Sequence, residues 1–301
     1  MKKLKWMSKD VFNNTEFPLG VRFAYPQPPE DIHTHDRFSE LVIIHKGSAS
    51  HITGDEKYTI QAGDCFVITG NRAHGYGDLN DLYLVNVLFD HAHILDRVPH
   101  IQKLPAYHVL FCLEPRFRRQ HCFESRLHLG PEELSHVLSL VDLLKKELDI
   151  RNPGFEFMAV SIFMQIVGFL CRSYGHKGDM PTASLMKMGK VLGYLQSHYR
   201  NPIHLEDLVA LSGMTQRTFM RVFNEATGLS PIDYLIRLRV AKAGELLTIT
   251  NQSVTEVAFR VGFEDSNYFT RQFKRIVGTS PSAYRTRLQQ PIRPVTHTPN
   301  V

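Results

Sequence analysis

Four residues in the first quarter of the chain are of types that bind metal ions or polar small molecules. The stretch HTHDRFSE contains His33 and His35, one residue apart, and Glu40. His74 closes a later stretch, GDCFVITGNRAH. Neutral imidazoles and a carboxylate are suitable ligands for divalent transition metals. The same groups can hydrogen-bond a polar organic ligand. The spacing therefore predicts a binding site, either for a metal ion or for a polar organic ligand.

The segment that must position these residues has the pattern of a β-sheet. Residues 40–77 contain short β-branched and aromatic runs that are broken at Gly54 and Gly63. Such runs, bounded by glycine, predict antiparallel strands. Tyr58 and Phe66 lie in these runs and would bring ring faces close to the histidines.

Composition places the chain among soluble, intracellular proteins. Its 301 residues are enough for two domains. The start, MKKLKWMSKD, has no apolar segment typical of a secretory signal. The four cysteines form no C-x-x-C pair, which favours reduced thiols in a cytoplasm. The most apolar run, 155–171, contains Glu156 and Gln165, so we expect a buried helix and no membrane span.

Charge is distributed unevenly along the chain. Residues 185–301 carry 15 Lys and Arg against 8 Asp and Glu, a net charge of +7. Residues 1–184 carry 20 against 22, a net charge of −2. The C-terminal part is basic, whereas the remainder is slightly acidic. This difference indicates that the C-terminal part binds a polyanion.

The basic part contains an internal repeat. FMRVFNEATGLSPIDYLIRL (219–238) aligns with FTRQFKRIVGTSPSAYRTRL (269–288) at a constant offset of 50 residues. Upstream, LEDLVALSG (205–213) and VTEVAFRVG (254–262) align at an offset of 49. Two copies indicate a pair of similar modules.

Each copy predicts a short helix, a turn at a glycine and a second helix. In the first copy Gly213 makes the turn, Thr215 is the expected N-cap, and the second helix runs over 216–227. In the second copy Gly262 makes the turn and Asp265 is the cap. Each second helix has an inward apolar stripe and an opposite polar, basic stripe, which is the pattern of a helix-turn-helix. Two helical hairpins of an all-α bundle would explain the apolar stripes. They would not explain why both polar stripes carry an arginine at the same position.

The helix between the modules sets the distance between them. Ser230 followed by Pro231 predicts a helix start, and the helix should end near Leu247. Its 17 residues would span about 25 Å, against about 34–36 Å for one turn of DNA. One chain can therefore reach two successive major grooves, with some bending of the duplex.

The stretch SVTEVAFRVGFEDSNYFTRQFKRIVGTSPSAYR, with the first module, resembles the DNA-binding domain of the AraC/XylS family of transcription regulators over residues 186–289. The resemblance places base-reading positions on both second helices, and it would let Glu256 face RNA polymerase. Capping of a helix start is the alternative role for the acidic residues here. The predicted DNA-contacting residues are Gln216, Arg217, Met220, Arg221, Asn224, Ser266, Asn267, Thr270, Arg271 and Lys274.

The N-terminal part resembles a cupin barrel. The spacing H-x-H-x4-E-x6-G, which ends at Gly47, is similar to the first cupin motif; GDCFVITGNRAH is similar to the second, with Thr69 where proline is usual. Within the family these pieces look most like rhamnose-operon-type regulators. We expect a metal-free pocket without a cofactor; a metal held by His33, His35, Glu40 and His74, or a purely structural role, are the alternatives. The predicted effector-binding residues are His33, His35, Glu40, His51, His74 and Tyr76.

The predicted architecture is an α+β chain with several domains. A cupin-like β-barrel with a helical hairpin occupies 1–174, a linker 175–184, an all-α domain with two helix-turn-helix modules 185–289, and a disordered tail 290–301. The helix predicted over 131–150 has an apolar face that either packs on its own domain or pairs two subunits as an antiparallel coiled coil.

The function that these features predict is a cytoplasmic, sequence-specific DNA-binding transcription regulator, not an enzyme. It would be a homodimer that activates a carbohydrate-catabolism operon in response to a sugar, with double-stranded DNA and RNA polymerase as partners. Two alternatives remain open. One is a metal-dependent cupin enzyme or metal sensor fused to a DNA-binding domain; the other is a constitutive DNA binder whose barrel has lost its ligand.

Overall fold

The computed structural model describes residues 4–12, 16–54, 56–69, 72–95, 98, 100–113, 127–175 and 180–289. Cys122, the tail 290–301 and residues 176–179 of the expected linker lie outside these ranges. The chain divides into two compact units, Met1–Gly193 and Tyr194–Val301.

The first unit is built on one eight-stranded sheet, which confirms the predicted cupin-like β domain. The strands are β1 (Leu4–Met7), β2 (Leu19–Ala24), β3 (Glu30–Asp36), β4 (Ser39–Thr53), β5 (Glu56–Gln61), β6 (Asp64–Ile68), β7 (His74–Phe89) and β8 (Leu127–His128). The strand order is β1-β3-β7-β4-β6-β8, while β2 also pairs with β7 and β5 with β4. All described pairings are antiparallel except that of β1 with β3.

The two longest strands, β4 and β7, change neighbours along their length. The end of β4 pairs with β5 and with the start of β7, whereas the start of β4 pairs with β6 and the end of β7. This exchange encloses a buried cluster that includes Val42, Phe66 and Tyr76. The predicted turns are confirmed, since Gly54 and Gly63 both have positive φ angles.

Helices pack on this sheet and extend beyond it. A 3-10 turn, Ile101–Lys103, and a π-helical segment, His108–Leu113, flank the short helix Pro105–Tyr107. The helices are α1 (Ser8–Val11), α2 (His91–Ile94), α3 (Pro105–Tyr107), α4 (Pro131–Ile150), α5 (Phe155–Gly175) and α6 (Met180–His198).

The predicted helical hairpin consists of α4 and α5. The buried residues of α4, among them Val137, Val141 and Leu144, face its own unit, where α4 contacts α5 and β2. Most of that apolar face is therefore packed within its own unit, whereas Leu134 and Leu138 are half-buried. By length and composition α5 could cross a membrane, but 39% of its apolar 18-residue stretch is buried in this unit. It is buried on one side only, because Phe157 is 76% exposed.

The boundary between the units lies further along the chain than the linker expected at 175–184. Residues 180–184 already belong to α6, and the units divide after Gly193. The reason is close packing of α6 on the first unit. A Cβ atom at Gly189 would lie 2.4 Å from the Pro105 carbonyl oxygen.

The second unit is helical throughout its described part, as predicted. Thr215, Ser230 and Asp265 cap their helices with side-chain oxygens, and Gly228 and Gly278 end the second helix of each module in the left-handed conformation. The helices are α7 (Leu205–Ser212), α8 (Gln216–Thr227), α9 (Pro231–Ile249), α10 (Val254–Arg260), α11 (Ser266–Val277) and α12 (Pro281–Gln289). The helix between the modules, α9, is two residues longer than predicted and spans about 28 Å.

Candidate DNA-binding surface and sensor site

The second helix of each module buries one face and exposes the other. Phe219 and Phe223 of α8 and Phe269 and Phe273 of α11 have no exposed surface. On the opposite faces lie the ten predicted DNA-contacting residues, which are all exposed or half-buried. The exposed members are Gln216, Arg217, Arg221, Asn224, Asn267, Arg271 and Lys274, and the half-buried members are Met220, Ser266 and Thr270.

Two of the exposed arginines are held by neighbours on their own helices. The Arg221 guanidinium pairs with Glu225, with N–O distances of 2.8 and 3.0 Å. The Arg271 guanidinium lies 5.9 Å from the centre of the Tyr268 ring. Sequence reasoning missed Glu225, although its position four residues after Arg221 is the signal for such a pair.

The acidic residues near this surface cap helices. The Asp265 side chain accepts a hydrogen bond from the backbone N–H of Tyr268, which confirms its predicted capping role. Glu256 belongs to a capping box: its carboxylate accepts from the Ser253 N–H at 2.7 Å, and the Ser253 hydroxyl accepts from the Glu256 N–H. These bonds lower the pKa of Glu256. They give Glu256 a local role, so a contact with RNA polymerase is not needed to explain it.

In the first unit, the four residues of the first sequence motif come together. His33 and His35 extend from β3, His74 begins β7 directly opposite His33, and Glu40 lies near the start of β4. Each of the four is 1% exposed. One nitrogen from each histidine lies within 4.8 Å of the others. We refer to His33, His35, His74 and Glu40 as the histidine cluster.

Hydrogen bonds orient the rings of this cluster. His33 Nδ1 lies 3.0 Å from the Asp31 carbonyl oxygen, and His74 Nδ1 lies 3.2 Å from that of Arg72. Because a carbonyl oxygen only accepts, each Nδ1 is the donor in its contact. Glu40 Oε2 lies 3.3 Å from His74 Nε2 and 3.6 Å from His35 Nε2.

The electrostatics favour neutral imidazole beside an ionised carboxylate. Burial lowers the pKa of His35 to about 4. Burial by itself would raise the pKa of Glu40, but the contact with His74 and the other two rings brings it below its usual value. Near neutral pH, Glu40 is therefore a buried anion beside a neutral His35.

The other two predicted effector-binding residues lie beside this cluster. His51 is 1% and Tyr76 is 7% exposed, and their ring centres are 5.5 Å apart. The His51 ring also lies 5.9 Å from that of His74. The structure thus brings all six predicted residues into one buried region.

Two further residues of the region were missed by sequence reasoning. Asn86 donates a hydrogen bond from Nδ2 to Glu40 Oε1 at 3.0 Å. The Trp6 ring stacks on that of His33, with centroids 4.4 Å apart and an angle of 17°. Nothing local in the sequence marks either residue, because each is brought to the cluster by strand pairing.

A cavity of about 630 Å³ lies next to Trp6, between the N-terminal segment, β2 and the end of α4. Its walls combine the Trp6 and Phe12 rings with charged side chains such as Arg22 and Asp149. The Arg22 guanidinium lies over the Trp6 ring at 4.6 Å. None of the six predicted effector-binding residues lines this cavity. Its volume lies within the range of about 300–1,000 Å³ typical of small-molecule sites.

Comparisons with known proteins agree with this arrangement. Residues 21–138 match the AraC-like ligand binding domain, and residues 208–287 match a helix-turn-helix domain. The HTH-type transcriptional activator RhaR of Pectobacterium atrosepticum is 30% identical over 285 residues, covering 94% of this chain and 96% of that protein. RhaR of Escherichia coli strain K12 is 28% identical over 284 residues, with the same coverage.

Among solved structures, the DNA-binding domain of AdpA in complex with a target DNA is 37% identical; the match covers 34% of this chain and 91% of that domain, with a TM-score of 0.33. A β domain that matches a ligand-binding family, joined to two helix-turn-helix modules, defines a DNA-binding transcription regulator with a sensor domain. The chain belongs to the AraC family of transcription regulators, and its named relatives of comparable length are transcriptional activators.

Proposed function

We propose that this protein activates transcription of a carbohydrate-catabolism operon when a sugar binds to its first unit. The observation that carries the proposal is the pair of matched helices, α8 and α11, whose polar and basic faces are exposed. Arginine and asparagine are suited to bidentate contacts with guanine and adenine edges in the major groove. The names of the relatives support activation. The protein would act in the cytoplasm as a homodimer together with RNA polymerase.

The effector is proposed to be a small polyhydroxylated molecule. The first unit offers two adjoining places for it, the histidine cluster with His51 and Tyr76, and the cavity beside Trp6. Aromatic faces and a few charged groups suit a sugar, which has both apolar C–H faces and hydroxyl groups. Only a few kcal/mol of differential affinity between two arrangements of the protein are needed to couple effector binding to DNA binding.

The DNA-binding assignment is tested by one substitution in each of the two proposed recognition helices, α8 and α11. Arg217→Ala and Asn267→Ala should each weaken binding to the operator by about 1–3 kcal/mol and relax the preference for one base pair. Lys274→Ala, which removes a charge suited to a phosphate contact, should weaken binding to all sequences alike and reduce the salt dependence. Footprints that remain unchanged in Arg217→Ala and Asn267→Ala would refute the assignment.

The effector is sought by thermal unfolding of the full chain with a set of monosaccharides, rhamnose included. A true effector raises the unfolding temperature in proportion to its occupancy and changes operator affinity at the same concentration. A protein that binds its operator equally with and without every sugar would instead be a constitutive DNA binder.

A further inference from the structure

The cavity beside Trp6 is positively charged, although the part of the chain that contains it is slightly acidic. Residues 1–184 carry a net charge of −2. The charged residues that line the cavity are four cations and one carboxylate, with a net charge of +3: Lys5, Arg22, Lys145, Arg151 and Asp149. We infer that this cavity binds an acidic sugar, in which a carboxylate or a phosphate is attached to a polyhydroxylated ring. The inference deepens the proposed function and rests on it for the sugar part of the ligand, whereas the preference for an anion rests on the cavity itself.

Ion pairs reduce this positive charge without removing it. Lys145 Nζ lies 2.6 Å from Asp149 Oδ1. Lys5 Nζ lies 2.7 Å from an oxygen of Asp36, which does not line the cavity. With Asp36 included, the net charge is still +2. Both pairs are open to solvent and therefore weak, so the anionic group of a ligand can compete for either lysine.

Arg22 is held at the cavity by an aromatic ring. Its guanidinium lies 4.6 Å from the centre of the Trp6 ring. Contact with a ring face orients a guanidinium without using its N–H groups as hydrogen-bond donors. Arg22 also pairs with Asn86 across β2 and β7, so both side chains lie on the same face of the sheet. The cavity therefore adjoins the region in which Asn86 holds Glu40.

Arg151 is the second arginine of the cavity, and its backbone conformation is unusual. It ends α4 with a φ angle of +55°, a left-handed conformation that favours glycine. Strained residues of this kind are concentrated at functional sites. Its Nε donates to the Leu148 carbonyl oxygen at 3.0 Å, and its guanidinium lies 5.4 Å from the centre of the Phe155 ring. Within the described ranges no carboxylate pairs with Arg151, so its charge is available to a ligand.

The combination of rings and arginines suits an acidic sugar better than a neutral one. The rings of Trp6 and Phe12 and the side chain of Leu88 can cover the C–H face of a sugar. Guanidinium groups bind carboxylate and phosphate through two parallel hydrogen bonds. A volume of about 630 Å³ is sufficient for a small ligand of this kind. A neutral monosaccharide would use the apolar walls but would leave the cations without a counter-charge.

Trp6 is the one tryptophan of the sequence, so its fluorescence reports on the cavity directly. The full chain, without sugar or DNA, is titrated with iodide, caesium and neutral acrylamide at constant ionic strength. Each quenching constant is divided by that for acrylamide, which corrects for the exposure of the ring. A positive cavity concentrates anions, so we expect iodide to quench Trp6 about threefold or more as strongly as caesium.

Two variants with opposite effects locate the charge. Arg22→Gln removes a cation and should lower the relative iodide constant by about twofold or more, whereas Asp149→Asn removes the carboxylate of the lining and should raise it. Arg172→Gln is the matched control, because this exposed arginine lies about 25 Å along α5 from Phe155. It should leave the constant unchanged.

The ligand class is tested with pairs of sugars that differ in one anionic group. Galacturonate is compared with galactose, and glucose 6-phosphate with glucose, by calorimetric titration of the full chain. The acidic member of at least one pair should bind about tenfold or more tightly than its neutral partner, because a hydrogen bond to a charged group contributes more than a neutral one. The same ligand should protect Trp6 from iodide, and Arg22→Gln should weaken its binding about tenfold.

Three results would separate this inference from the proposed function. Caesium quenching equal to that of iodide would overturn the anion site and would leave the sugar-responsive regulator standing. Neutral sugars that bind as tightly as their acidic partners, or benzoate binding without either acidic sugar, would overturn the acidic sugar as ligand. An acidic sugar that binds the cavity without changing operator affinity would support the site and contradict its role as the effector site.

Discussion

Arg221 and Glu225 form an ion pair across one turn of α8, with the Arg221 Nη1 atom 2.8 Å from Oε1 and 3.0 Å from Oε2 of Glu225. The equivalent position in the second module, 50 residues later, is Arg275. The first recognition helix thus carries an acid where the second carries a base. The two modules should therefore differ in how strongly charge contributes to their DNA binding.

Replacing Glu225 with glutamine should strengthen DNA binding. The variant frees Arg221 and removes a negative charge close to the phosphates, so we expect affinity to rise about two- to fivefold at low salt, with less effect at high salt. Gel-shift titrations at two salt concentrations measure this. Glu245→Gln, which breaks the exposed pair with Lys242 on α9, is the matched control. Equal affinities for wild type and Glu225→Gln would mean that Glu225 does not compete for Arg221.

Replacing Arg239 with alanine should destabilise the second unit. Arg239 of α9 donates from Nε to the Tyr199 carbonyl oxygen at 2.7 Å and from Nη2 to that of Asn201 at 2.9 Å. Loss of two charged hydrogen bonds should cost about 2–3 kcal/mol. The exposed Arg237 on the same helix provides the control, and Arg237→Ala should change stability by less than about 0.5 kcal/mol. Urea unfolding followed by far-UV circular dichroism compares them; equal midpoints would contradict the prediction.

Replacing Gly47 with alanine should disrupt the β domain. Gly47 has φ +77°, and an added Cβ would lie 2.0 Å from the Asp81 backbone oxygen. Strain and overlap together should cost about 3 kcal/mol or more. Gly54 also has a positive φ, +61°, but its Cβ would meet open space, so Gly54→Ala should cost only about 1–2 kcal/mol. Trp6 fluorescence during urea unfolding reports both. Similar losses at the two positions would show that backbone strain alone matters.

The first unit should lose stability in mild acid because of His108. Burial lowers the pKa of His108 to about 4, despite its hydrogen bond to the Gln102 carbonyl oxygen. The unfolded chain, with an ordinary histidine pKa of about 6.5, binds the proton more readily. The contribution of His108 is therefore complete above about pH 6.5 and decreases as the pH falls toward 4.

Between about pH 7.5 and about pH 5.5, His108 should account for a loss of about 1 kcal/mol in the free energy of unfolding. His108→Gln should remove that part of the pH dependence, as measured by urea unfolding with Trp6 as reporter. His93→Gln, at an exposed histidine of the same unit, should retain it. A pH dependence that is identical in His108→Gln and wild type would show that other groups cause the loss.

Local signals in the sequence determined the DNA-binding half of this protein. Thr215, Asp265 and the glycines at 228 and 278 fix where the recognition helices begin and end, because caps and left-handed turns depend on neighbouring residues only. The helical spacing of phenylalanine and arginine then separates the buried face of each helix from the exposed one.

The tertiary structure alone decided the arrangement of the sensor half. His33 faces His74, Asn86 holds Glu40, and Trp6 covers His33 because strands far apart in the chain pair in one particular register. Alternation within a strand shows which residues share a face, but not which residue of another strand lies opposite. The sequence therefore showed which residue types could bind a ligand, and the pairing of β3 with β7 set the distances between their side chains.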